Sequence, residues 1–168
     1  MKRTLLVTDA GPLIALAVAD VLPQTIKLYK TLWVPQAVID EVTSTPDAPG
    51  AAAIRAALSG KRPGLTLIAE NDIAPLDPAY AQGLGSGEVA VLAYAAQHGH
   101  VALIDDRRAR AIALRLNVAT VGSGAVLLAL KANGRIASIR PVLKAWQAHG
   151  YFVAPTIVSE LVRRAGEA

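Results

Sequence analysis

The chain of 168 residues has no cysteine, which removes disulfides and thiolate metal sites together. That absence predicts a reducing, intracellular home, the cytoplasm. Aromatic residues make up only 4% of the chain, with a single Phe and two Trp. So sparse a set argues against a stacking platform for bases. Trp33 and Trp146 read as structural, and Tyr151-Phe152 reads as cover for a core edge. No apolar run reaches the ~18–20 residues of a membrane span. The opening "MKRTLLVTDAGPLIALAVAD" is interrupted by Asp9 and Pro12. It therefore reads as a strand followed by a helix, not as a signal peptide. Only three histidines occur, His98, His100 and His149, each beside a glycine. They fit helix C-terminal caps better than a catalytic base.

What is abundant is apolar: 53% hydrophobic residues against 18% charged. That balance supports a sizeable core and one domain over residues 1–168. Runs with strand character, 3–9, 32–34, 65–69, 101–105 and 117–122, recur about every 30 residues. Alanine-rich stretches of helical spacing lie between them. Unbroken hydrophobic strands alternating with helices predict an α/β fold, a parallel sheet of about five strands covered on both faces. The stretches 43–50 and 71–87 read as loops. The helices after about residue 123 are predicted to pack on the same core. Net charge is +4 but uneven. Residues 1–100 hold 7 Lys and Arg against 9 Asp and Glu, and residues 101–168 hold 10 against 4. A basic C-terminal part suits either an anionic partner such as nucleic acid or solvated helix faces.

The acids raise a sharper question. "LIDDRRAR" (103–110) ends an apolar run with Asp105 and Asp106 side by side. Asp9 likewise follows "TLLVT". In open parallel sheets ligands bind beyond the carboxyl ends of the strands, where these acids fall. A helix N-cap is the plain alternative for each. In "VPQAVIDEV", with Pro35 as first helical residue, Glu41 lies about 100° from the centre of the apolar side and Asp40 about 160° away. Asp40 thus faces solvent while Glu41 borders packed surface. Glu88 shares its helical stripe with Val91, Leu92 and Ala95. A first-turn glutamate that complements the helix dipole would look the same from outside. Gathered together, Asp9, Glu41, Glu88, Asp105 and Asp106 would repel by several kcal/mol without a cation among them. Carboxylates without Cys or paired His suit a hard divalent ion, Mg²⁺ or Mn²⁺.

Four stretches in this order, "VTDAGPLIAL", "VPQAVIDEV", "GLGSGEVAVLAYA" and "ALIDDRRAR", resemble the PIN-domain nucleases. Within them the chain is similar to a prokaryotic subgroup akin to toxin ribonucleases of toxin–antitoxin pairs. The resemblance implies a three-layer α/β/α sandwich whose acids bind Mg²⁺ or Mn²⁺ and cut single-stranded RNA. The implied reaction is in-line attack of metal-activated water, leaving 5′-phosphate and 3′-hydroxyl. Asp9, Glu41 and Glu88 match the first three acids of the family, the third being Glu where many relatives have Asp. The register of the fourth points to Asp106, yet Ile104 replaces the Thr that many relatives place two residues earlier. Asp105 and Asp106 therefore both stand as candidates. A cognate antitoxin that inserts Arg or Lys near the acids, and a homodimer, are further implications.

Other features are weaker. "GLGSGE" lacks the Lys-Ser/Thr of a P-loop. Amides at Gly122 and Ser123 could meet a substrate phosphate, or simply form a tight turn. Arg107 and Arg108 suit RNA backbone contact, a solvated face, or neutralisation of the Asp pair. A phosphoacceptor receiver domain would carry its acid pair after the first strand, whereas here the pair comes late. A PIN-type nuclease in RNA processing and a non-catalytic interaction module remain as alternatives.

Overall fold

The computed structural model describes residues 5–60 and 64–168. Five parallel strands form one sheet: β1 (Leu6–Thr8), β2 (Leu32–Pro35), β3 (Leu65–Ile68), β4 (Val101–Leu103) and β5 (Thr120–Val121). Residues 3 and 4 of the expected first strand lie outside the described residues. The strands run in the order β3-β2-β1-β4-β5. Helices α1 (Ala10–Val18) and α2 (Leu22–Tyr29) follow β1, and α3 (Gln36–Val42) and α4 (Ala51–Ser59) follow β2. Between β3 and β4 lie α5 (Pro78–Ala81) and α6 (Ser86–His98). Helix α7 (Arg107–Arg115) joins β4 to β5, and α8 (Ser123–Ala132), α9 (Arg140–Ala148) and α10 (Pro155–Arg164) come after it. The result is the expected three-layer α/β/α sandwich.

Strands this apolar need cover on both faces, and they have it. Val7, Leu32, Val34, Ala102 and Leu103 have no exposed surface. The C-terminal helices contribute Val126, Leu127, Leu130, Val142 and Leu161 to the same buried cluster. Trp146 pins α9 to α1: its ring is 1% exposed, and Nε1–H donates to the Ala15 carbonyl at 2.8 Å. Among the described residues no single helix is long and apolar enough to cross a membrane.

The differences from expectation are local. The stretch 71–87 is not all loop, because Asp77 caps α5 by accepting from the Ala79 amide at 2.9 Å with Pro78 behind it. Pro35 ends β2 and precedes α3, with ψ 150 keeping it extended. The fifth strand starts at Thr120 because Asn117 takes a left-handed turn (φ 56) out of α7. His98 and Gly99 do end α6, with Gly99 at φ 67. His149 and Gly150 end α9 in the same way. His100 instead enters β4 as a buried ring beside Tyr94, so it is no cap.

Candidate active site

The strand order reverses direction between β1 and β4, and a crevice opens at such a point. The chain leaves β1 through Asp9, whose amide donates to the Leu103 carbonyl of β4 at 3.0 Å. Asp105 and Asp106 follow two and three residues after Leu103. Helix α3 brings Glu41 while burying Val38, Ile39 and Val42. Helix α6 brings Glu88 in its first turn, above buried Val91, Leu92 and Ala95. Gly87 makes their meeting possible. A Cβ on it would stand 3.1 Å from both Glu41 Oε2 and Val38 Cγ2, and 3.6 Å from Asp9 Oδ1. All five expected acids line one hollow of about 490 Å³.

Their hydrogen bonds separate capping from other roles. Asp106 Oδ1 caps α7 by accepting from the Ala109 amide at 2.8 Å. Glu88 Oε2 accepts from the Gly85 amide at 2.9 Å. Asp105 has both oxygens engaged, Oδ1 by the Ser123 amide at 2.8 Å and Oδ2 by the Tyr151 hydroxyl. Asp9 precedes α1 but makes no capping hydrogen bond, although it is only 7% exposed. Asp40 points outward and accepts from Gln36 Nε2 at 2.7 Å. Glu41 is exposed toward the hollow and borders packed surface as expected, meeting Val38 at Gly87.

Burial pushes the Asp9 carboxyl up to about 6. The Ala10 amide works against this, and the charges of Glu88, Glu41 and Asp106 reinforce it. Asp9 therefore feels three of the other four acids. None of the five is in an ion pair among the described residues, although Arg110 Nη1 and Asp105 Oδ1 both lie against Gly122. Among the described residues the ion pairs are Lys131–Glu167, Arg140–Glu167 and Arg163–Glu160, all remote from the hollow. Of the options open for Arg107 and Arg108, an ion pair with the Asp pair is not formed among the described residues. Arg108 turns instead onto the loop before α6, its Nη2 3.5 Å from the Gln82 carbonyl. Arg115 lies with its guanidinium 5.0 Å from the centre of the Tyr80 ring.

Gly122 and Ser123 belong to a brace. The Ser123 amide serves Asp105, and a Cβ at Gly122 would stand 3.0 Å from Asp105 Oδ1. Tyr151 packs on the core edge as expected and also lines the acid hollow, whereas Phe152 lines the hollow without covering the core. Burial, followed by the charge of Asp105, raises the Tyr151 hydroxyl well above its ordinary range, so it is a neutral donor.

The donor set is all oxygen, crowded and without counter-charge among the described residues, which suits a hard divalent cation. Among those residues no three donors stand in a ready metal-holding group. Among the described residues Asp9 is held only by the Ala10 amide, no hydrogen bond engages the Glu41 carboxylate, and Glu88 and Asp106 each keep one oxygen besides the one bound to an amide.

A parallel α/β/α sandwich with carboxylates gathered at its switch point defines a class of protein that handles a cationic or cation-bridged ligand there. The family is narrower. A family model described as DUF3368, PIN domain, matches residues 5–167, and the chain belongs to that PIN-domain family. PIN domains are generally nucleases, and those nucleases typically use divalent metals. The comparison with curated proteins gives no match.

Proposed function

We propose that the protein is a Mg²⁺- or Mn²⁺-dependent endoribonuclease that hydrolyses single-stranded RNA. The observation that carries this reading is Asp9, a buried carboxylate with no capping hydrogen bond, facing Glu41, Glu88 and Asp106 with no ion pair to any of them among the described residues. A divalent ion held by these oxygens would polarise an attacking water and offset charge building on the phosphoryl oxygens. In this reading Asp9, Glu41, Glu88 and Asp106 are the residues that would hold it. Asp105 braces the strand end between Ser123 and Tyr151, so in this reading it orients its neighbour Asp106. The chain's own contribution is positioning. Backbone pairing between β1 and β4 fixes Asp9 beside the Asp pair, and the α3–α6 contact at Gly87 sets the two glutamates.

By its resemblance to toxin ribonucleases we place the enzyme in the cytoplasm as a homodimer, held inactive by a cognate antitoxin that offers Arg or Lys to the hollow. A small neighbouring reading frame whose product co-purifies with the chain supports that place. Its absence leaves RNA processing as the role. The test of the activity is Mn²⁺-dependent cleavage of a single-stranded RNA panel by wild type and Asp9→Asn. Cleavage by wild type alone, with both proteins folded, supports the assignment, and equal cleavage by both defeats it.

A further inference from the structure

Phe152, the only phenylalanine in the chain, is 83% exposed, the most exposed of the large hydrophobic side chains among the described residues. It does not hang from a loose loop. Gly150 turns the chain out of α9 in the left-handed region (φ 73). Tyr151 is then fixed three ways: its amide donates to the Trp146 carbonyl at 2.9 Å, its ring lies 5.3 Å from the Trp146 ring, and its hydroxyl binds Asp105. Val153 beyond it packs on the core. Two anchored neighbours therefore display one bare aromatic ring.

Phe152 lines three hollows. One, of about 610 Å³, is mainly apolar and lies between α9 and α10. Another is the acid hollow, and the third, of about 640 Å³, shares Asp105, Tyr151 and Phe152 with it and is lined by Arg107 and Arg110. Neither arginine is held in an ion pair among the described residues. Acids, a bare aromatic ring and two guanidinium groups thus line adjoining hollows, with Arg110 Nη1 meeting Asp105 Oδ1 at Gly122 where the hollows join. A single-stranded polynucleotide offers matching chemistry: a phosphate that a cation can bridge, an unstacked base, and the next phosphates.

We propose that Phe152 is a base-stacking subsite, receiving the nucleobase next to the scissile phosphate while Arg107 and Arg110 hold the adjoining backbone. This rests on the ribonuclease reading and adds how the substrate is gripped. Stacking on Phe152 favours unpaired strands over duplex and tolerates any base, because every base has a π-face. Phe152 is a positioning residue, and its loss acts on binding before it acts on chemistry.

The probe is a single-stranded oligoribonucleotide carrying 2-aminopurine at successive positions, titrated into Asp9→Asn protein, which holds RNA without cutting it. Quenching of the fluorophore at one or two adjacent positions is expected. Adding Phe152→Ala should abolish the quench and weaken binding about tenfold, while Phe152→Trp restores both. Arg110→Ala should keep the quench and lower the salt dependence of binding by about one phosphate contact. In the cutting enzyme, Phe152→Ala should raise KM more than it lowers kcat. Unchanged quench and affinity in Phe152→Ala, with wild type still cutting RNA, overturns the proposal and leaves the ring for a protein partner. If wild type neither cuts nor binds RNA, the ribonuclease reading fails and takes the subsite with it.

Discussion

Asp9 and Glu167 are both carboxylates with little exposure, and their surroundings push them in opposite directions. Asp9 sits among Glu88, Glu41 and Asp106, and its burial carries it up to about 6. Glu167 receives Lys131 Nζ at 2.7 Å, the Ser138 hydroxyl at 2.6 Å and the Ile139 amide at 2.9 Å. Its side chain is 10% exposed, and the Lys131 hydrogen bond leads in drawing it down to about 2. Arg140 adds a further contact to the Glu167 carbonyl. One region leaves negative charge unanswered. The other surrounds a single negative charge with donors and ties the end of the chain to α8 and α9. Charge placed for structure is paired, and unanswered charge at a strand end marks a place for something to bind.

The sharpest way to break this contrast is Asp9→Asn. Loss of cleavage by at least about 100-fold is expected if Asp9 holds the ion. The fold should gain. The folded Asp9 pKa lies above its ordinary 3.8, so the stability it confers is complete below 3.8 and is lost as pH rises through about 6. At pH 7 the metal-free Asp9→Asn protein should therefore be more stable than wild type, by up to about 3 kcal/mol, since each tenfold change in proton affinity corresponds to about 1.4 kcal/mol. Thermal denaturation across pH 4 to 8, spanning that window, is the measurement. A destabilised variant at neutral pH would show that Asp9 is satisfied where it stands.

The raised Asp9 pKa bears equally on cation binding. Protons compete for Asp9 below about 6, so Mn²⁺ should bind about tenfold more tightly for each pH unit gained up to that point and level off above it. Calorimetric titration at several pH values reads this directly. A flat profile would remove Asp9 from the ligand set.

How far the sequence carried these conclusions follows from what is local in the chain. The layered fold was legible because apolar runs and helical spacing are nearest-neighbour patterns. Asp9, Glu41, Glu88 and the Asp pair were legible because each stands at a strand end or on an inward helical stripe. Strand order was not, since nothing local says that β4 lies against β1. The bond from Tyr151 to Asp105 was not legible for the same reason: the two lie 46 residues apart, and the packing of Tyr151 on Trp146 brings them together. The signal that was available, Tyr-Phe after a left-handed His-Gly turn in a chain short of aromatics, favours a core edge just as well. Which option the arginines after the Asp pair take was not legible, because adjacency in sequence is not adjacency of side chains at the start of a helix. Asp106 caps α7, and Arg108 reaches the Gln82 carbonyl.

At the paired end, Glu167→Gln should lower the melting temperature at neutral pH, since Lys131 and Arg140 lose their counter-charge. The pH dependence has the opposite sign to that of Asp9. A depressed pKa gives stability that is present above the ordinary 4.5 and is lost as pH falls through about 2. Wild type and Glu167→Gln should therefore differ at pH 7 and converge in strong acid, with cleavage unchanged throughout. A change in cleavage would join the two regions, which the geometry keeps apart.

The smallest effect is expected where the comparison is finest, at the bond between Tyr151 and Asp105. Tyr151→Phe removes one donor from a half-buried carboxylate and should cost about 1 kcal/mol of stability. Its effect on cation affinity decides between the two aspartates. If Asp105 were itself a ligand, Tyr151 would be its outer partner, and losing such a partner weakens a metal about 10- to 100-fold. With Asp106 as ligand and Asp105 as brace, the disturbance reaches the ion only through the backbone between them. The half-saturating Mn²⁺ concentration should then move by less than about threefold, well under that outer-partner range. A larger change assigns Asp105 to the ion and turns Asp106 into the cap of α7 alone.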